Sequence, residues 1–169
     1  DELGDAALAE LVRGDTDSEL VFALVTTYAR RDGDVGRALT DAARWVAEHL
    51  PVYALNLVLT TPTDLWALRY PQTHRLYVLD RPAGGVHGGR HLDHASAPGT
   101  VRVRSHDLKH RPAVVVASEP MDESPGWRLL EPGELLHARA GRPLEQRVVL
   151  DRPPARPLTL ADLHPRAAA

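Results

Sequence analysis

The stretch LPVYALNLVLT, residues 50–60, marks a change in the spacing of the apolar residues. Before it, apolar residues recur every three or four positions, as on one face of an amphipathic helix. Within it, Leu55, Leu57 and Leu59 alternate with other residues, as on one face of a β-strand. Pro51 cannot continue a helix, because proline lacks the backbone N–H. The stretch therefore predicts that a helical part ends here and a sheet begins.

The region before Pro51 predicts three helices, one within residues 1–13, one from about Thr16 to Arg31 and one from about Asp34 to Leu50. Gly14 and Gly33 separate them. The third helix carries a single apolar stripe. Residues 20–25 of the second helix are apolar almost all round, which predicts burial on more than one side.

The region after Pro51 predicts short strands. They fall at 54–60, 65–70 and 76–80, at a central strand over 113–117, and at a closing hairpin over 134–150 that turns about Gly141. Five glycines between residues 84 and 99 predict an irregular loop. Helices that precede a run of antiparallel strands are typical of an α+β fold and not of a βαβ fold.

Composition limits the function classes. The chain has 169 residues, 43% of them apolar and 25% charged, which is typical of a folded domain. The net charge of −3 gives no general attraction to nucleic acid, and no apolar run approaches the roughly 20 residues of a membrane helix. We therefore expect neither a nucleic-acid nor a membrane partner.

There is no cysteine, so these residues carry no disulfide and no thiol chemistry. The Pro-rich residues 151–169 predict a surface tail after a domain at 1–150.

The segment Gly14-Asp15-Thr16-Asp17-Ser18-Glu19 opens the second helix. Thr16 fits the N-cap position and Glu19 the N3 position of a capping box. A carboxylate at Asp17 is favoured in the first turn by the helix dipole. These residues alone predict a well-capped helix start.

Together with three later motifs, this segment resembles the class II glutamine amidotransferases, which are N-terminal-nucleophile (Ntn) hydrolases. The order and spacing look most like the small stand-alone branch that includes the γ-glutamyl amidohydrolase of ergothioneine biosynthesis. The resemblance spans about residues 10–140. The later motifs are LNLVLT at 55–60 followed by LWALRY at 65–70, VVVASEP at 114–120 followed by Gly126 and Trp127, and PGEL at 132–135.

The resemblance implies a fold and a reaction. The fold would be an αββα sandwich of antiparallel sheets between helix layers, incomplete in this chain. The enzyme would be a cytoplasmic hydrolase or transferase without a cofactor, which cleaves glutamine or another γ-glutamyl amide. Asp17 would bind the α-amino group of the substrate, with Thr16 and Ser18 beside it in the substrate-binding segment. This chain contributes no catalytic residue to that reaction.

The family nucleophile is an N-terminal Cys, which this chain does not contain. The resemblance thus implies that the chain is the C-terminal part of an enzyme. A missing N-terminal segment or a separate partner chain would supply the Cys, and we expect the chain alone to be inactive. The alternative is a non-catalytic, amidotransferase-like module that binds a γ-glutamyl ligand or a protein partner.

Other candidate sites are weaker. His87, His91, His94 and Asp93 have ligand spacings, but they lie among glycines that fix no geometry, so we expect no metal site. The pair His106 and His110 is flanked by basic residues, which disfavours a dication. Two polar residues of the strand regions, Asn56 and Glu119, are expected to be structural hydrogen-bonding groups.

Overall fold

The computed structural model describes residues 10–96, 99 and 101–163 of the chain. These fold into two compact units. The first unit comprises the residues up to Leu55 together with those from Val148 onward, and the second comprises Asn56–Arg147. The helix predicted within residues 1–13 lies largely outside the described residues.

Two α-helices are the main elements of the described part of the first unit. Helix α1 spans Asp17–Asp32 and helix α2 spans Val35–His49, which confirms both sequence predictions. Gly33 ends α1 in the left-handed conformation at φ 72°, where glycine avoids the steric penalty of a Cβ. The side chain of Asp34 then caps α2 by accepting a hydrogen bond from the amide of Arg37.

Helix α1 is buried over more than half of its circumference. Ala23, Leu24 and Val25 are consecutive, so they span about 200° around the helix axis, and each is at most 3% exposed. The predicted burial on more than one side is thus confirmed for residues 23–25. Leu20 and Phe22 of the same run remain 44% and 55% exposed. Among the described helices, α1 packs against α2.

The chain after Leu150 returns to the first unit. Strand β1, Pro51–Val52, pairs in parallel with strand β11, Arg156–Pro157. The amide of Ala155 also donates to the carbonyl of Ala47 at 2.9 Å. Most side chains of this Pro-rich segment are exposed. A domain boundary at residue 150 stays a prediction, and residues 164–169 lie outside the described part.

The described residues of the second unit contain two larger antiparallel sheets and one two-stranded sheet, and the strands are labelled in chain order. The four-stranded sheet comprises β2 (Leu57–Thr60), β3 (Asp64–Leu68), β9 (Glu134–Arg139) and β10 (Glu145–Val148). The three-stranded sheet comprises β4 (Tyr77–Arg81), β7 (Ala113–Ala117) and β8 (Arg128–Leu129). The strand order is β10-β9-β3-β2 in the first and β7-β4-β8 in the second.

The two sheets pack face to face through one apolar cluster. Ala67 of β3 and Leu136 of β9 contribute from one sheet, and Val78 of β4 contributes from the other. Side chains of β7 pack against the same cluster. The mixed α+β class with antiparallel sheets is thus confirmed. The helical region precedes the sheet region, as the change of periodicity at residues 50–60 predicts.

Two strand predictions need correction. The predicted loop over 84–99 contains strand β5, Leu92–Ala95, which pairs with β6, Arg102–Ser105. The glycines on either side conceal a short strand whose buried anchor is Leu92, 3% exposed. Strand β7 is not central, because among the described strands it pairs only with β4 and is half-buried throughout. A continuous apolar strand does not reveal whether a neighbour lies on each side.

Neither α1 nor α2 is both long enough and apolar enough to span a bilayer, and the described residues contain no other α-helix that is.

Candidate functional site

The start of α1 is held by a small hydrogen-bond network. The Oγ1 atom of Thr16 accepts from the amide of Glu19 at 3.4 Å, as expected of an N-cap. Oε2 of Glu19 in turn accepts from the amide of Gly14 at 2.9 Å and from the Thr16 hydroxyl at 3.5 Å. The predicted N-cap Thr16 is therefore confirmed, whereas Glu19 accepts from the amide of Gly14 and the Thr16 hydroxyl and not from the Thr16 amide, as a capping box requires. These hydrogen bonds connect Gly14 and Thr16, which precede Asp17, to Glu19 in the first turn of the helix.

Asp17 takes no part in this network. It is the first residue of α1 and its side chain is exposed. Among the described residues, its hydrogen-bonding neighbour is the hydroxyl of Ser18, which donates to Oδ1 at a long 3.4 Å. The carboxylate therefore has unused acceptor sites, while residues 14, 16 and 19 fix the backbone that carries it.

A cavity of about 450 Å³ lies in the first unit beside Asp17. Apolar side chains such as Leu20, Trp45, Leu50 and Leu158 form most of its wall. Among the described residues that line it, Asp17 is the only charged one. A carboxylate at the border of an apolar cavity suits a cationic group, because the two form a charge-assisted hydrogen bond.

The structure places the three residues of the substrate-binding segment next to one another, with different surroundings. Thr16 is engaged in the cap, Ser18 contacts Asp17, and Asp17 borders the cavity. Their role in binding stays a prediction.

Asn56 and Glu119 have structural contacts as expected. Asn56 Oδ1 accepts from the amide of Tyr70 at 3.2 Å, and Glu119 lies 3.4 Å from the ring of His94.

The histidines near the glycine-rich loop are dispersed. His91 stacks on His106 with ring centroids 5.0 Å apart, and its Nε2 lies 3.9 Å from Asp93. His94 turns instead to Glu119. Within the described part of the chain, no three His, Asp or Glu side chains converge as metal ligands.

Asp64, a buried carboxylate at the start of β3, is not indicated by any motif in the sequence. Asp64 accepts two hydrogen bonds from Arg139, at 2.8 and 3.1 Å, one from Thr63 at 2.6 Å, and lies 2.6 Å from His137 Nε2. The hydrogen bonds from Arg139, then Thr63 and His137, hold the pKa of Asp64 well below its ordinary value. His137 also stacks on Trp66, with centroids 4.8 Å apart. These contacts fasten β3 to β9.

A buried arginine, Arg69, was also missed. It is 6% exposed and donates to the carbonyls of His74, Leu130 and Gln72 at 2.8, 2.7 and 3.0 Å. A planar guanidinium has donors in enough directions to hold three segments of backbone at once. Arg69 therefore organises the connection from β3 to β4. No local sequence signal indicates this, because its partners are carbonyls.

Comparison with known families identifies the chain. A family model described as glutamine amidotransferases class-II matches residues 7–158. This chain belongs to the class II glutamine amidotransferase family. No curated protein sequence matches it.

A solved structure shares the fold of this member of the family. It is described as a glutamine aminotransferase class-II domain protein from Silicibacter pomeroyi. The TM-score is 0.54 at 23% sequence identity, over 91% of this chain and 59% of the other. At that identity the likeness supports the fold. The chain spans 59% of the length of that structure.

Proposed function

We propose that this protein is the substrate-orienting part of an amidohydrolase or amidotransferase that cleaves a γ-glutamyl amide. The observation that carries the proposal is the carboxylate of Asp17. It is left with acceptor capacity at a helix start that Thr16 and Glu19 hold rigidly, and it borders a cavity. In this proposal Asp17 accepts hydrogen bonds from the α-ammonium group of the substrate.

The bond-breaking step needs a nucleophile from elsewhere, because none of the 169 residues is a cysteine. In the proposed reaction a Cys thiolate from an N-terminal segment or a partner chain attacks the γ-carbonyl carbon. A C–S bond forms, the C–N bond breaks, and the amine leaves with the proton that the thiol gave up on becoming a thiolate. Water then hydrolyses the thioester to glutamate and the free thiol. Asp17 contributes by fixing the position of the γ-carbonyl relative to the thiolate.

Family membership and the share of the solved relative that the chain spans support this division of roles. The motif order, most like the stand-alone branch of ergothioneine biosynthesis, favours a γ-glutamyl amide larger than glutamine as substrate. The reaction as proposed needs no cofactor.

The decisive experiment purifies the protein from its native source and determines its intact mass, N-terminal sequence and any co-purifying chain. The same preparation is incubated with glutamine or a γ-glutamyl anilide in the presence of hydroxylamine. We expect a Cys-initiated segment or partner and the formation of γ-glutamyl hydroxamate, since hydroxylamine intercepts a thioester. A native protein without cysteine and without hydroxamate would contradict the proposal and favour the binding module.

A further inference from the structure

The second unit contains a cavity of about 490 Å³ that the proposed function does not use. The glycine-rich loop at residues 84–89 forms one side of it, and residues 122–125 form another. The charges on its walls are of both signs. Arg81 and Arg90 contribute cations, and Asp93, Asp122 and Glu123 contribute carboxylates.

Arg81 is the most unusual group at this cavity. It is 2% exposed, and it forms no ion pair with any described carboxylate. Nη1 donates to the carbonyl of Leu108 at 2.7 Å, and Nη2 donates to that of Arg90 at 3.0 Å. Its Nε atom is buried and has no hydrogen-bond partner in the described structure. A buried cation with no described carboxylate at ion-pair distance is costly, so a carboxylate that reached it would gain a strong interaction.

Glycine backbone lies close against the guanidinium of Arg81. A Cβ on Gly85 would come within 3.1 Å of Nη2, so only glycine permits this close cover. Gly84, Gly85, Gly88 and Gly89 all have positive φ, which glycine adopts at no steric cost. Arg81 lines the cavity although its Nε atom is buried, so a ligand carboxylate would need a small displacement of this loop to reach that atom.

The acidic wall excludes a simple anion as the best ligand. Asp93 is matched by Arg104 at 2.8 Å and by Arg102 at 3.5 Å. Burial acts to raise the pKa of Asp122, but hydrogen bonds from Trp127 and Ser124 and the charge of Arg81 together keep that pKa below its ordinary value. Glu123 is exposed and has no described partner. Asp122 and Glu123 are thus the two negative charges that remain at the cavity. Their sign is opposite to that of Arg81 and Arg90.

We propose that this cavity binds a small zwitterion of the amino-acid class, with its carboxylate toward Arg81 and its ammonium group toward Asp122 and Glu123. Each charged group of the ligand meets the opposite charge on the wall. A ligand with only one of the two charges leaves either the arginines or the carboxylates of the cavity without a partner. It also faces a like charge, which weakens its binding. This inference does not rest on the proposed function.

The test uses three matched probes and isothermal titration calorimetry on the full chain. L-Leucine carries both charges, 4-methylpentanoate lacks the ammonium group, and 3-methylbutylamine lacks the carboxylate. We expect leucine to bind at least about ten-fold more tightly than either analogue, which corresponds to about 1.4 kcal/mol. Leucine binding no tighter than that of 4-methylpentanoate, or no binding of any probe, would overturn the proposal.

Variants locate the site. Substitution of Arg81 could prevent folding, so the first variant is Glu123→Gln, which alters an exposed side chain. It should weaken leucine binding about ten-fold and leave 4-methylpentanoate binding unchanged or tighter. The matched control is Glu48→Gln, which removes one exposed carboxylate from α2 and should change neither. Unchanged leucine binding in Glu123→Gln would contradict the assignment.

A last variant separates this site from the one at α1. Asp17→Asn should leave leucine binding unchanged. If Asp17→Asn abolished it while Glu123→Gln did not, the zwitterion would occupy the cavity beside α1, and the inference would be wrong while the proposed role of Asp17 gained support.

Discussion

Gly14 and Glu19 are in direct contact across the start of helix α1. The amide of Gly14 donates to Oε2 of Glu19 at 2.9 Å, and a Cβ at position 14 would lie 2.6 Å from that same oxygen. Gly14 is not among the glycines with positive φ. Its lack of a side chain therefore serves the close approach of the carboxylate and not a special backbone conformation.

The first prediction concerns this contact. Gly14→Ala should push the Glu19 carboxylate away, break its bond to the amide of residue 14 and lower the free energy of unfolding by about 1 kcal/mol, the usual scale of a lost cap. Urea unfolding followed by circular dichroism measures the change. In a Glu19→Ala background the same Gly14→Ala change should cost much less, since no carboxylate is left to displace. Equal costs in the two backgrounds would show that the contact contributes nothing.

The second prediction concerns Asp64. Because its pKa is lower in the folded state than in the unfolded chain, ionised Asp64 stabilises the fold at pH values above its unfolded pKa of about 3.9. This contribution is lost as pH falls below about 4 toward the folded-state pKa. Asp64→Asn should therefore lower the Tm by several degrees at pH 7, and the difference from the unsubstituted protein should shrink below pH 4.

Asp80→Asn is the matched control for this series. Asp80 lies on β4 with an exposed side chain and takes part in none of the hydrogen bonds of the Asp64 network. Its substitution should leave the dependence of Tm on pH almost unchanged. A Tm difference for Asp64→Asn that stayed constant from pH 7 to pH 3 would mean that the ionised form of Asp64 is not what stabilises the strand pair.

The third prediction concerns Arg69. Arg69→Lys keeps the charge, but one ammonium group cannot reach carbonyls in three directions from the same position. We expect a loss of roughly 2–3 kcal/mol in unfolding free energy, because a buried acceptor left without a donor costs about 1–3 kcal/mol. Arg75→Lys, at an exposed neighbouring arginine, is the control and should be nearly neutral. Equal stability of the two variants would show that the three carbonyl contacts are not important.

Local sequence signals predicted the elements that depend on local chemistry. Thr16, Glu19 and Gly33 mark the ends of α1 in sequence and in structure alike. Predictions that depend on tertiary packing were less accurate. The apolar run of β7 does not show that the strand lies at a sheet edge, and Phe22 of α1 remains exposed although the next residue, Ala23, is buried.

Candidate sites follow the same division. The Asp17 segment was found because its residues are consecutive and form a recognisable motif. No sequence motif indicates the groups around Arg81. Residues 81, 90 and 123 are far apart in the sequence, and they line one cavity only in the folded chain. Asp64 and Arg139 could have been paired in advance only with the register of β3 against β9, which places them directly opposite.

The last prediction concerns Asp17. Since Thr16 and Glu19 supply the cap, Asp17→Asn should alter stability by no more than about 0.3–1 kcal/mol, the range of a first-turn carboxylate with the helix dipole. Loss of the charge should reduce kcat/KM for γ-glutamyl substrates far more, because breaking a desolvated charge pair costs roughly 2–5 kcal/mol, or about 30-fold and upward. The measurement is steady-state hydrolysis by the complete enzyme alongside thermal unfolding. Asp15→Asn, an exposed acid two residues away, is the control and should keep full activity. A Tm lowered by several degrees with kcat/KM intact would show that Asp17 supports the helix and does not bind the substrate ammonium.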